Sequence, residues 1–269
     1  MKKSLILAIA LTLTSNAYAY TLNGVAETGA RWKSFPISMK LNPTNAGISD
    51  AEVQRVITSA MSKWNTGTGK DILDISAVDY SVTAATGMDK DGVNSITFSA
   101  NFREDSNGFD PDVTVAVGGQ YGDGDTMTDA FIVFNSESVA WTTDKESSPN
   151  RLLYHDDLET IALHELGHVI GLGHTTVAGA AMNAVRTSKT TRTLAADDVD
   201  GANYLIGSGA TGTGNGGSQS TSASKTAGCG SISNSGTNNS NIGGLAAMML
   251  LPLAVLVFAR RKVTALKLN

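Results

Sequence analysis

The feature that most constrains this chain is an eleven-residue stretch, residues 164–174, that reads His-Glu-Leu-Gly-His-Val-Ile-Gly-Leu-Gly-His. His164 and His168 are four residues apart, so on an α-helix both imidazoles project from one face and can bind one metal ion. Two glycines follow, and they predict the end of the helix because glycine readily adopts the left-handed conformation of a helix terminus. The chain would then turn and bring His174 to the same ion.

Three neutral imidazoles with a fourth position left open form the coordination of a catalytic zinc ion. Glu165 lies next to the first ligand, where it can reach a metal-bound water without binding the metal itself. The chain has four histidines, and three of them occupy the ligand positions. Helix histidines satisfied by backbone and solvent would not require this spacing. The stretch therefore predicts a zinc site suited to hydrolysis.

The charge distribution argues against nucleic-acid binding. The whole chain has a net charge of -5, but both ends are basic and free of acidic residues. Residues 20–207 therefore carry 13 basic and 25 acidic side chains. A domain this acidic would be repelled by phosphate backbones, whereas calcium binding is compatible with it.

Residues 1–19 have the pattern of a secretory signal peptide. Two lysines precede an apolar run from Leu5 to Leu13, and residues 17–19 read Ala-Tyr-Ala, with small residues at the cleavage spacing. The prediction is an exported protein whose mature chain starts at Tyr20. The alternative is a buried N-terminal helix.

The other end predicts a linker and a membrane segment. Residues 208–241 consist almost entirely of Gly, Ser, Thr and Asn, so they cannot bury a core and predict a flexible linker. Residues 242–259 are 18 residues without a charge, and three basic residues follow them. This length just suffices to cross a bilayer, so we expect a transmembrane or sorting helix and a basic cytoplasmic tail over 260–269. A buried core helix is the alternative.

Two details of this end resemble bacterial sorting signals. Gly243-Gly244 followed by an apolar helix and basic residues is similar to the GlyGly-CTERM type, in which an intramembrane protease cuts near the glycines. The resemblance implies a sorting protease as a partner, transient membrane contact, and delivery to the cell envelope, the surface or the medium. A plain membrane anchor is the alternative. Cys229-Gly230 resembles related signals with a processed or lipid-modified cysteine, although a lone thiol in such a segment can be incidental.

Residues 20–207 are long enough for one domain with a single core. Alternation of apolar and polar residues predicts a strand over 36–41, and Ser49 with Glu52 forms a capping box that opens a helix. Further strands are predicted at 72–75, 95–98, 113–117 and 130–134, and further helices from Asp157 and near 194–205. A strand, a helix, several strands and then helices indicate an α+β fold with a mostly continuous sheet.

The zinc motif and its surroundings resemble the metzincin metallopeptidases, and within them the matrixin branch. Met182 lies eight residues after His174, where matrixins have the methionine of the turn beneath the metal. Residues 194–207 resemble the C-terminal helix of matrixin domains, in which paired aspartates, here Asp197 and Asp198, hold the mature N-terminus and that turn. The resemblance covers about residues 30–207 and is strongest over 158–182.

The resemblance implies a zincin-like catalytic domain with a twisted mixed sheet, an active-site helix and a C-terminal helix. It implies a zinc metalloendopeptidase that acts on proteins or peptides laid antiparallel along an edge strand at 113–117, and the signal-peptide pattern adds that this enzyme is exported. Its ligands would be His164, His168 and His174. Glu165 would take a proton from the zinc-bound water and deliver it to the leaving amine.

The chain also departs from the matrixin pattern. No cysteine-containing latency motif precedes the domain, and His155 alone cannot build a second, structural zinc site. Met182 is followed by Asn183-Ala184 rather than Tyr-Pro, and the pocket wall at about 183–193 carries Arg186 in unfamiliar surroundings. The sequence therefore gives no cleavage preference.

A calcium site is a weaker interpretation of the acidic turns. Asp123, Asp125 and Asp129, or alternatively Asp110 with Asp112, offer carboxylates at a spacing that could bind Ca²⁺. Solvated turn aspartates explain the same pattern.

Two other functions stay open at this point. One is a different zincin branch whose third ligand is a downstream glutamate, although His174 argues against it. The other is a surface-displayed binding or adhesion module that keeps the fold without turnover, although the intact Glu165 argues against it.

Overall fold

The structure is a computed structural model that describes residues 19–143, 155–184, 190–207 and 228–233. The elements are α1 (Gly24–Glu27), β1 (Ile37–Leu41), α2 (Asp50–Thr68), β2 (Leu73–Val78), α3 (Ala84–Gly87), β3 (Ser95–Ser99), α4 (Phe102–Asp105), β4 (Thr114–Asp123), β5 (Thr126–Asn135), β6 (Ala140–Thr142), β7 (His155–Asp157), α5 (Leu158–Ile170), α6 (Ala196–Gly207) and β8 (Gly228–Ser233). The α+β prediction is confirmed.

The strands form a mixed sheet of six in the order β2-β1-β3-β5-β4-β8. β1 pairs in parallel with β2 and β3, and β3 pairs in parallel with β5. β4 runs antiparallel to both of its neighbours, β5 and β8. A separate parallel pair joins β6 to β7 and leads directly into α5.

The predicted capping box opens α2. Ser49 is the N-cap, and its hydroxyl accepts a hydrogen bond from the amide of Glu52 at 3.3 Å. The apolar side chains recur at helical spacing and are buried on one face: Val53, Val56, Ile57, Ala60, Met61 and Trp64. Gly69, in the left-handed conformation at φ 66°, ends the helix, as is common for a glycine in this position.

α5 is the central helix of the domain, because all of its 13 residues except Thr160 are buried. The indole nitrogen of Trp64 in α2 donates to the carbonyl oxygen of Leu163 at 2.9 Å, and that of Trp32 donates to Val169 at 2.8 Å. These two indoles hold α5 in place through the backbone at its middle and near its C-terminal end.

Apolar clusters cover both faces of the sheet, and β5 contributes side chains to each of them. Ile132 and Phe134 belong to the large core cluster that contains α2 and α5, whereas Phe131 and Val133 belong to a second, smaller cluster. Side chains alternate between the two faces of a strand, so one apolar run can supply both clusters. The smaller cluster includes Phe102 of α4 and shields the face away from α5.

Residues 208–241 were predicted as a flexible linker, but β8 forms within them. It pairs with β4, so the strand predicted as the edge of the sheet is not its edge. The predicted signal peptide and the 242–259 helix lie outside the described residues. Among the helices that are described, none is both long and apolar enough to cross a bilayer.

Replacing Phe134 with alanine should lower the free energy of unfolding by about 3–5 kcal/mol, the cost of a large cavity in a packed core. Its ring stacks on Phe98 at 4.8 Å and meets Trp141 edge-on at 5.2 Å, and the side chain is fully buried. Urea unfolding measures the change. Val113→Ala is the control, since Val113 is 48% exposed and should shift stability by less than about 0.5 kcal/mol. Equal effects of the two variants would contradict the assigned core.

Candidate metal centre

The start of α5 determines where the two helical histidines of the site lie. Asp157 is the N-cap, and its Oδ2 accepts from the amide of Thr160 at 3.0 Å and from the Thr160 hydroxyl at 2.5 Å. With the helix thus begun, His164 and His168 lie one turn apart on the same side. Gly171, at φ 121°, ends the helix after Ile170 and turns the chain back.

The turn brings the third histidine to the first two. The Nε2 atoms of His164 and His168 are 3.0 Å apart, and those of His164 and His174 are 3.2 Å apart. The three residues form the one group in the described part of the chain that could hold a metal ion. The structure thus confirms that the spacing in the motif brings all three imidazoles to one point.

Each helical imidazole is oriented by a backbone carbonyl on its other nitrogen. Nδ1 of His164 lies 2.6 Å from the carbonyl oxygen of Ala181, and Nδ1 of His168 lies 2.8 Å from that of Leu172. A carbonyl can only accept, so each Nδ1 carries the proton and each Nε2 has a free lone pair. This is the tautomer that a metal ligand requires, and such carbonyl contacts are typical of the surroundings of bound zinc.

Burial keeps these imidazoles neutral. The pKa of His168 is lowered to about 3 by burial and by the neighbouring His174, and the pKa of His164 is also far below its usual value, first because of burial. Burial lowers the pKa of His174 as well, although its ring is only partly covered. Neutral, convergent nitrogen atoms are the donor set that suits zinc.

Glu165 is completely buried and lies against β4. Neither carboxylate oxygen has a hydrogen-bond partner within the described residues, and burial raises the pKa of the carboxyl well above its usual value. Its nearest neighbour is the backbone of β4: a Cβ added at Gly118 would lie 2.7 Å from Oε2. A buried carboxyl with a raised pKa beside a candidate metal is characteristic of a catalytic base.

Met182 packs against α5. Gly167, between the two helical histidines, leaves the space for it: a Cβ there would be 2.2 Å from the sulfur of Met182. The methionine side chain is 2% exposed, and its carbonyl oxygen accepts from the amide of Thr175 at 2.9 Å. The turn that carries it therefore packs both on the helix and on the segment after His174.

Asp198 in α6 holds this turn in place. One carboxylate oxygen accepts from the amide of Ala181 at 2.8 Å and the other from the amide of Met182 at 3.0 Å. Since the carbonyl of Ala181 in turn orients His164, the carboxylate is connected to the metal centre through a single peptide unit. Asp197 accepts a hydrogen bond from the amide of Ala19 at 3.1 Å, one residue before the predicted mature N-terminus.

Sequence reasoning missed the segment just after the predicted cleavage point. The hydroxyl of Thr21 donates to the carbonyl of His174 at 2.6 Å, and the amide of Gly173 donates back to Thr21 at 2.9 Å. Asn23 contacts the carbonyl of His168 through its side-chain amide at 2.9 Å. Residues 21–23 thus hydrogen-bond to the backbone of two of the three histidines. No local sequence motif predicts these contacts, because the partners lie about 150 residues away in the chain.

The candidate calcium residues do not converge. Asp125 forms an exposed ion pair with Lys33 at 2.9 Å, whereas Asp129 is buried and accepts from the amide of Gly92 at 2.7 Å. Asp123 lies on the exposed end of β4. Together they form no metal-binding group among the described residues. In the alternative pair, Asp110 contacts Arg103 at 2.7 Å and the amide of Asp112 at 3.2 Å. Calcium binding stays a prediction from sequence.

Three other residues were singled out from the sequence. Arg186 lies outside the described residues, as do its neighbours over 185–189. His155 is in β7, before the N-cap of α5. Cys229 lies on β8 in register with Gly119 of β4.

The chain is similar in sequence to proteins of one known family. The matrixin model of the M10 peptidases matches residues 31–207. Metalloendoproteinase 1 of Glycine max is 33% identical over 91 residues, which cover 34% of this chain and 30% of that protein. Matrix metalloproteinase-16 of Mus musculus is 29% identical over 158 residues, 55% of this chain and 22% of the relative. Metalloendoproteinase 2-MMP of Arabidopsis thaliana is 45% identical over 53 residues, 19% and 14% of the two chains. The chain thus spans less than a third of the length of each of these curated relatives.

The pKa shifts at the site predict how stability varies with pH in the metal-free protein. Each buried imidazole is neutral when folded but is protonated when unfolded below about pH 6.5, so stability falls as the pH drops through 6.5 toward the folded pKa values. One fully buried imidazole should cost on the order of 2 kcal/mol at pH 5. Glu165 acts in the opposite direction, because its raised pKa favours proton uptake by the folded state.

Urea unfolding in the presence of a chelator, from pH 7.5 to pH 5, measures both effects. The Glu165→Gln variant removes the opposing contribution, so its stability should fall more steeply with decreasing pH than that of the wild type. A variant whose unfolding midpoint does not change across this range would contradict burial of neutral histidines.

Proposed function

The chain belongs to the matrixin family of metallopeptidases, and from this premise we propose that it is an exported zinc endopeptidase that hydrolyses peptide bonds in proteins or peptides. The observation that carries the proposal is the convergence of the three Nε2 atoms of His164, His168 and His174, each on a ring already oriented or buried for metal binding. Nitrogen donors in this number leave room for a further ligand, as catalytic zinc sites do.

The bound metal would be held by these three imidazoles and would supply Lewis acidity, polarising the scissile carbonyl and lowering the pKa of a water molecule to about 7. Burial of the helical ligands excludes bulk water from one side of the site, while the partly exposed His174 leaves the other side open to substrate. The open side is therefore where the peptide would enter.

Glu165 is the residue proposed to move the proton. Its carboxylate would accept a proton from the attacking water at an Oε atom and deliver it to the leaving nitrogen. Burial raises the pKa of this carboxyl, and a raised pKa favours the release of the proton back to the leaving group less than its uptake from water, as a general base requires at the first step. The lack of partners on Oε1 and Oε2 within the described residues leaves both oxygens available for that transfer.

The substrate is proposed to lie along β4. The backbone of this strand passes directly against Glu165 at Gly118, so a peptide paired with β4 would be held beside the base. In the structure β8 occupies that side of β4 in antiparallel register, Gly118 with Gly230. An extended segment therefore fits this edge, in the direction expected for a substrate.

Export and C-terminal processing belong to the same proposal and rest on the sequence. The signal-peptide pattern places cleavage between Ala19 and Tyr20, just before the segment that supports His174. We propose that the protein reaches the cell envelope or surface, anchored transiently through 242–259, and that a sorting protease acts near Gly243-Gly244. Mass spectrometry of the mature protein would locate both ends.

Replacing Glu165 with glutamine should leave about one zinc per chain but reduce kcat by about 10²–10⁴-fold, because the amide cannot accept the proton. Metal analysis and cleavage of a mixed peptide library, each with and without a chelator, measure the two quantities. Glu104→Gln, at an exposed position in α4, is the matched control and should behave as wild type. Wild-type protein that binds zinc but cleaves nothing would favour the binding module over the peptidase.

Replacing Gly118 with alanine should reduce kcat/KM by about tenfold to a hundredfold while zinc content stays unchanged. The new Cβ would lie 2.7 Å from Oε2 and 3.0 Å from the carbonyl oxygen of Glu165, so either the carboxylate or β4 must move. Gly24→Ala is the control, since a Cβ there has no neighbour within 4 Å. Full activity of the Gly118 variant would show that the reacting groups do not depend on this contact.

A further inference from the structure

β8 lies on β4 in the orientation proposed above for a substrate. The two strands are antiparallel, and their register is regular from Gln120, opposite Gly228, to Val117, opposite Ser231. Cα atoms of β8 also lie within 8 Å of Cα atoms in α5 and in α1, so the strand runs beside the helix that carries the metal ligands. A segment of this chain thus occupies the position in which an extended peptide would pair with the sheet.

The register places Gly230 next to the proposed base. Gly118 is the residue of β4 that lies against Glu165, since a Cβ added to it would be 2.7 Å from Oε2 and 3.0 Å from the backbone carbonyl oxygen. Gly230 is the partner of Gly118, and the Cα atoms of such antiparallel partners are about 4.5–5.5 Å apart. The two peptide bonds of Gly230 are therefore the bonds of β8 that this register brings beside the carboxylate.

This part of β4 is also fixed to the metal-binding helix. The buried side chains of Gln120 and Asn23 exchange two hydrogen bonds, of 2.6 and 2.9 Å. The amide of Asn23 also donates to the carbonyl oxygen of His168 at 2.9 Å. β4 thus contacts the site at Gly118 and again two residues later at Gln120. A strand paired with these residues is held at a fixed distance from both the base and a metal ligand.

The chain is long enough for β8 to come from the same molecule. α6 ends at Gly207 and β8 begins at Gly228, so 20 residues connect them. A connection of this length can span up to about 70 Å, whereas a domain of this size has a radius of gyration of only about 16 Å. No second copy of the protein is needed to supply the strand.

We propose that β8 is a substrate of the chain's own site, and that the protein cuts itself at one of the two peptide bonds of Gly230. The proposal rests on the peptidase function proposed above. Water adds its hydroxyl to the carbonyl carbon, the C–N bond breaks, and Glu165 passes the proton of the water to the leaving nitrogen. The products are a domain that ends at Cys229 or Gly230 and a fragment that carries the predicted membrane segment 242–259. Self-cleavage would thus separate the domain from that segment.

The test starts from the full chain, purified in detergent with a chelator, to which zinc is then added. Intact-mass measurement should show that the wild type loses everything after Cys229 or Gly230, whereas Glu165→Gln keeps these residues. A cut near Gly243-Gly244 by another protease gives a different mass and does not depend on Glu165. Because β8 belongs to the same chain, the rate should not change on about tenfold dilution. A rate that falls on dilution would overturn cleavage within one molecule.

Proline at the cleavage point gives a variant with a matched control. Gly230→Pro removes the backbone N–H of this residue and turns the bond before it into a tertiary amide, so self-cleavage should be about tenfold slower or more. Gly217→Pro makes the same chemical change in the same Gly/Ser/Thr/Asn-rich stretch but outside β8. It should leave the rate within about twofold of the wild type. Equal rates of the two variants would contradict the assigned bond.

Hydrogen exchange in β4 gives a readout that does not depend on cleavage. In Glu165→Gln, which keeps the segment, adding Gly230→Pro should speed the exchange of residues 117–120 and leave α2 unchanged. Equal rates would show that β8 does not pair with β4 and would overturn the proposal. Chelated wild type replaces Glu165→Gln if that variant does not fold.

The two proposals fail in different ways. A wild type that cleaves added peptides in the presence of zinc but keeps its own C-terminal residues overturns self-cleavage alone. A wild type that cleaves neither itself nor any added peptide contradicts the peptidase function as well.

Discussion

The metal centre depends on two hydrogen bonds between buried imidazoles and backbone carbonyls. His164 and His168 are each 1% exposed, so an Nδ1–H group without an acceptor would cost the full desolvation of a polar group. Their acceptors, the carbonyls of Ala181 and Leu172, lie on the two segments that follow α5. The same contacts that satisfy the rings thus also fix the turn below the helix and the turn after it. Asp198 contributes by accepting from the amide of Met182, which belongs to the same peptide unit as the carbonyl of Ala181.

Much of the fold could be predicted from local patterns. The cap at Ser49 and the apolar spacing in α2 are properties of the segment itself, and the helix forms where these signals place it. β6 and β7 have three residues each and no alternation of their own, so they exist because they pair with each other before α5. β8 has the sequence Gly-Cys-Gly-Ser-Ile-Ser, which has almost no strand propensity. It forms because the backbone N–H and C=O groups of β4 pair with it.

The residues of the site likewise fall into those that local spacing predicts and those that depend on distant contacts. Spacing within residues 164–174 was enough to predict three converging imidazoles, because helix geometry and one turn determine their positions. Thr21 and Asn23 were missed as supporting residues. Each acts through contacts with residues far away in the chain, and nothing in their own surroundings indicates the partner. The pair Asp197 and Asp198 was found only because a family resemblance supplied roles that their spacing alone does not reveal.

In the proposed mode of substrate binding, the pairing of β8 with β4 means that this chain carries a competitor for the strand along which the peptide would lie. A segment attached to the same polypeptide is present at a high effective concentration, whereas a peptide in solution must compete by mass action. Binding measured on the full chain then equals the intrinsic affinity multiplied by the fraction of molecules in which the edge is free. A Michaelis constant obtained with residues 228–233 in place would therefore report the release of this strand together with the recognition of the peptide.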